Sequence, residues 1–132
     1  MIKIVGFIAF FFSSQIFCQA KLNYTAKQLR QAFPNEIFEE YYTNDSTRYI
    51  YFEDKTMECI HFFSKKENIT NSAIIIPNTN DLLNYLIEEC NKHYVIINNK
   101  KWRFYSENGI LNIELIYRND GGRPYLYYTL ND

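Results

Sequence analysis

The sequence predicts an α+β domain of two tandem α-β4 units, joined in a mostly antiparallel sheet with the helices on one face. Three observations carry this expectation. Two segments place apolar residues at helical spacing, and eight short runs rich in Tyr, Ile and Phe lie between polar turn clusters. The order of one helix then four strands is written twice. The two copies superpose without a gap at an offset of 53, which sets Leu29 on Leu82, Phe33 on Leu86, Tyr49 on Trp102 and Ile60 on Ile113.

In chain order, residues 1–20 come first and read as an export leader. Lys3 supplies the positive start, residues 4–12 the apolar run, and Cys18-Gln19-Ala20 the small residues that a signal peptidase reads. The run is too short to span a bilayer, which takes about 20 apolar residues. Lipid attachment at Cys18 would call for a small residue before it, and Phe17 stands there. Cleavage near Lys21 leaves one domain, residues 21–132, with repeat units at about 24–77 and 78–130. Loss of Lys3 moves the net charge from −1 to −2, so no basic excess points to nucleic acid, and no membrane span remains. The expected compartment is the periplasm or the medium.

The first helix is expected over residues 24–33, with Thr25 as N-cap, Leu29 and Phe33 on one face, and Pro34-Asn35 as the stop. Strands are expected at 37–43, 48–53, 57–63 and 72–76. The second helix covers residues 78–92, capped by Thr79 or Asn80, with Leu82, Leu83, Leu86, Ile87 and Cys90 as its apolar stripe. Strands at 94–98, 101–106, 110–117 and 124–130 follow.

Asn108-Gly109 is the strongest short-range hairpin cue in the chain, and a two-residue loop there pairs Glu107 with Ile110. Trp102 then faces Leu115 and Phe104 faces Ile113 on the core side, with Arg103 opposite Glu114 on the outer side. Carried back by 53 residues, the register pairs Tyr49 with Phe62 and Tyr51 with Ile60 on the core side, and turns Ile50, Phe52, Cys59 and His61 outward. The expected outer face therefore presents Ile50, Phe52, His61, Phe63, Tyr94, Arg103, Tyr105, Tyr125 and Tyr127, which is apolar where solvated sheets are usually polar. These nine are the candidate partner-binding residues.

Tandem units of a helix and four antiparallel strands, carried here by the Leu29 and Leu82 helices and the 48–63 and 101–116 hairpins, resemble the β-lactamase-inhibitor-protein-like architecture. Small outer-membrane-assembly lipoproteins use a similar plan. The resemblance spans the mature chain as topology. It implies one curved sheet, helices on its convex side, and an aromatic concave face able to grip a partner.

Catalytic and metal signals are weak. Cys59-x-His61 places a thiol and an imidazole on one strand face, and Cys90 and His93 are the only other soft ligands beyond the leader. A Cys-His nucleophile pair would lack an orienting third group and an oxyanion turn. The adjacent pairs Glu39-Glu40 and Glu88-Glu89 do not converge as an acid/base dyad. Three Asn-x-Ser/Thr triplets, at Asn23, Asn44 and Asn68, fall where turns and caps call for such residues anyway. No cofactor, metal or catalytic residue is therefore expected. The function expected is a non-enzymatic protein- or peptide-binding or inhibitory module whose partner is another exported protein. The alternative is a self-associating envelope subunit such as a homodimer, and less so a small-ligand carrier or hydrolase. Cys59 and Cys90 are expected to stay unbonded, because the register puts them on opposite sides of the sheet.

Overall fold

The computed structural model describes residues 20–107 and 109–131, so nearly all of the expected leader lies outside the described residues. The described residues form two helices and eight strands: α1 (Ala26–Ala32), β1 (Glu39–Tyr42), β2 (Arg48–Glu53), β3 (Met57–Phe63), β4 (Thr70–Pro77), α2 (Asn80–His93), β5 (Val95–Asn98), β6 (Lys101–Ser106), β7 (Gly109–Ile116) and β8 (Tyr125–Asn131). All eight strands join one antiparallel sheet in the order β1-β2-β3-β4-β8-β7-β6-β5.

Both helices start where the sequence places a cap. The Thr25 hydroxyl accepts from the Gln28 N–H at 3.2 Å, and the Gln28 side chain accepts from the Thr25 N–H at 2.9 Å. That reciprocal box supports a helix of only seven residues, which is too short to persist alone. The Thr79 hydroxyl accepts from the Leu82 N–H at 3.1 Å at the start of α2. Leu29 of α1 and Leu83, Leu86 and Cys90 of α2 are buried.

The sheet buries one face in two rows that cross its strands. One row runs Phe52–Cys59–Ile75–Leu126–Leu115, and its neighbour runs Ile50–His61–Ala73–Tyr128–Ile113–Trp102. None of these eleven side chains is more than 5% exposed. The Phe33 and Phe38 rings lie 4.7 and 5.1 Å from Phe52, and the Trp102 indole N–H donates to Asn91 of α2 at 2.8 Å.

Two expectations about register are corrected here. In the β2–β3 hairpin the pairing is as expected, Tyr49 with Phe62 and Phe52 with Cys59, but the faces are exchanged. Ile50, Phe52, Cys59, His61 and Phe63 are buried, and Tyr49, Tyr51, Ile60 and Phe62 turn outward. The gap-free offset of 53 is the cause. An odd shift reverses every side chain in a strand. The buried residues Ile50 and Trp102, His61 and Ile113, Phe63 and Leu115 stand 52 apart instead.

In the β6–β7 hairpin the faces are as expected and the partners are not. Ser106 pairs with Gly109, so the closing pair falls one position earlier on each strand than the expected Glu107 with Ile110. Trp102 meets Ile113, Arg103 meets Asn112, and Glu114 faces Lys101. The Ser106 hydroxyl donates to the Gly109 carbonyl at 2.8 Å, and Gly109 takes φ 129° as the first strand residue, a value that suits glycine.

No disulfide joins Cys59 and Cys90, and both are buried. The expected reason is corrected, because Cys59 lies on the buried face and not opposite it. Lateral distance separates them instead. Asn91, next to Cys90, reaches Trp102 on β6, and three strands stand between β6 and β3. Four strand spacings amount to about 19 Å, well beyond disulfide reach.

Candidate functional site: the outer face of the sheet

The unburied sheet face is built from the alternate residues of the same strands. One row across it reads Tyr41–Tyr49–Phe62–Ser72–Thr129–Asn112–Arg103, and the next reads Glu39–Tyr51–Ile60–Ile74–Tyr127–Glu114–Lys101. The first half of each row is mainly aromatic or aliphatic and the second half mainly polar. The Tyr41 and Tyr49 rings stand 5.5 Å apart, and Tyr49 and Phe62 5.4 Å apart, so the rings form a continuous tilted strip. Tyr49, Tyr51, Ile60, Phe62, Ile74, Tyr125 and Tyr127 are half-buried by one another.

A hollow of about 500 Å³ opens where β3, β4 and β8 meet the end of β7. Phe62, Ile74, Ile116, Tyr125 and Tyr127 line it, and Lys65 stands at its edge. Beside it a polar cluster links β2, β3 and the segment that precedes β8. The Tyr51 hydroxyl donates to Glu58 at 2.9 Å and to Glu53 at 3.2 Å, and Arg123 pairs with Glu58. Desolvation, then the Glu58 and Glu53 carboxylates, hold the Tyr51 phenol above its ordinary range, so it stays a donor. At the far end the Arg103 guanidinium donates to Asn112 at 3.1 Å, and Lys101 stands 3.9 Å from Glu114.

The structure divides the nine candidate residues. Arg103, Tyr105, Tyr125 and Tyr127 lie on the outer face. Ile50, Phe52, His61 and Phe63 are at most 2% exposed and belong to the core. Tyr94 packs its ring edge-on to Phe104 at 5.5 Å on the core side, next to the α2 terminus. Tyr49, Tyr51, Ile60 and Phe62 are the outer residues that sequence reasoning assigned to the core. Glu58 carried the missing signal. It shares a β3 face with Ile60 and Phe62, and an acid on that face marks the solvent side.

Cys59 and His61 are 1% and 0% exposed, and the His61 ring stacks on Phe52 at 5.9 Å. Burial pushes the Cys59 thiol well above its usual range, which favours the protonated thiol. Among the described residues no three His, Cys, Asp or Glu side chains gather as a metal-binding group, and no helix is long and apolar enough to cross a membrane. No family model matches the chain, and neither a curated protein nor a solved structure is detectably similar to it.

Proposed function

We propose that this chain is an exported, non-enzymatic module that binds another exported protein or peptide through the outer face of its sheet. In this reading two α-β4 units place both helices on the buried face and leave the other face free. The observation that carries it is the strip Tyr41–Tyr49–Phe62 with the adjoining Tyr125–Tyr127 hollow. Tyr offers a large, stiff surface and a hydroxyl, so it gains contact area at small cost in side-chain entropy. Sheets that face only water are polar there. The test is capture of partners from the native extracellular fraction by the immobilised protein. Tyr125→Ser with Tyr127→Ser should abolish capture, and Lys27→Ser on exposed α1 should leave it intact. Equal capture by all three proteins would reject the face.

A second reading, self-association, has one specific observation in its favour. The edge strand β5 exposes Val95, Ile96 and Ile97 by 53, 55 and 46% and carries no charge, whereas the other edge carries Glu39 and Glu40. A solution mass that rises towards two chains with concentration, and that Ile96→Lys holds at one, would favour it.

A further inference from the structure

Residues 20–24 are tied down by the core of β3 and β4. The Asn23 N–H donates to the Thr70 carbonyl at 2.7 Å, and the Thr70 N–H returns to Tyr24 at 2.8 Å. The fully buried Thr70 hydroxyl donates to the Lys21 carbonyl at 2.7 Å and accepts from the Tyr24 N–H at 2.9 Å. One residue earlier, the Lys21 backbone N–H donates to His61 Nε2 at 3.0 Å. His61 is wholly buried and its Nδ1 has no partner, so its one clear polar commitment is to receive a hydrogen from Lys21. Ala20 is itself only 4% exposed.

The bond joining Ala20 to Lys21 is the one that Cys18-Gln19-Ala20 marks for the leader peptidase. Its nitrogen is the donor to His61. We propose that His61 and Thr70 form the socket for the amino terminus created by that cut, and that the cut precedes docking of this segment. The inference rests on the export reading. Hydrolysis adds one water across the bond: the hydroxyl goes to the Ala20 carbonyl carbon and a hydrogen to the Lys21 nitrogen, which takes a second proton from solvent. The new ammonium occupies the place of the amide and donates to the same imidazole nitrogen. Its other two hydrogens turn to water in the space that Ala20 leaves. A peptidase needs the residues around the bond extended and free, and in the folded chain they are engaged by His61 and Thr70. The order of events is therefore cut first, dock second.

Exported protein answers this directly. Its intact mass should correspond to a chain beginning at Lys21. An aldehyde reagent selective for α-amines should label the folded protein at least about tenfold more slowly than the same protein in urea, as a docked terminus must first detach. Equal rates would overturn the socket. A chain beginning at Gln19 or Ala20 would overturn it and leave export standing, and a chain retaining Met1 would sink both. Full-length protein folded in micelles before leader peptidase is added should stay uncut, and prompt cutting would overturn the order of events.

Discussion

His61 is a titratable ring kept from water, and its behaviour sets a pH dependence that can be worked out in sign. Burial, with the Lys21 charge adding to it, pushes its pKa from the ordinary 6.5 down to about 3. The folded chain therefore keeps the ring neutral while the unfolded chain takes up a proton below about 6.5. Stability from this group is fully present above that value and is lost as pH falls towards about 3, at no more than about 1.4 kcal/mol per pH unit. Urea midpoints measured from pH 7 to pH 4 should drop more steeply in the wild type than in His61→Leu. Parallel curves would place the proton elsewhere. Trp102 offers a second single-residue test, because it combines a large buried volume with one directed bond to Asn91. Trp102→Phe should cost about 1 kcal/mol for the lost bond plus a smaller packing term, and Trp102→Ala about 3–5 kcal/mol. Both are read from chemical denaturation. At this scale the caps were legible, because Thr25 and Thr79 act on groups three residues away. The role of His61 was not. Its donor, Lys21, is forty positions distant in the chain.

The seven residues of α1 depend on their first turn more than a long helix would. Thr25→Ala removes the acceptor for Gln28 and breaks the capping box, so it should cost about 1 kcal/mol, with hydrogen exchange in Leu29–Ala32 rising before the rest of the domain. Uniform exchange would show that α1 is held by packing alone. Strand extents were read well where polar turns bracket them: Arg48–Glu53, Met57–Phe63 and Lys101–Ser106 fall where expected. β4 begins at Thr70, two residues early, because Asn23 and Tyr24 bond to Thr70 from outside the local sequence. The facing of β2 was not legible, since Tyr49-Ile50-Tyr51-Phe52 offers an apolar residue to either side. Trp102-Arg103 leaves less choice, and the faces of β6 came out right.

Across the whole molecule, one strand pairing joins the two halves of the sheet. Ala73 meets Tyr128 and Ile75 meets Leu126 where β4 lies against β8, and all four side chains are buried. A junction made of core residues predicts one cooperative unit. Unfolding followed by the fluorescence of Trp102, the sole tryptophan, should coincide with unfolding followed by circular dichroism of the whole sheet. Two separated transitions would mean that the halves fold independently. The sequence by itself determined the number and order of the described elements, both helix starts and the β2–β3 pairing. Those follow from periodicity, caps and turn residues, which act within a few positions of one another. Only the tertiary structure decided which face of the first hairpin is core, how β6 and β7 are registered, and what His61 receives. Each depends on a contact between distant segments: Phe33 and Phe38 on Phe52, Asn91 on Trp102, Lys21 on His61. A strand that is apolar on both sides has no preference of its own until a helix arrives to cover one of them.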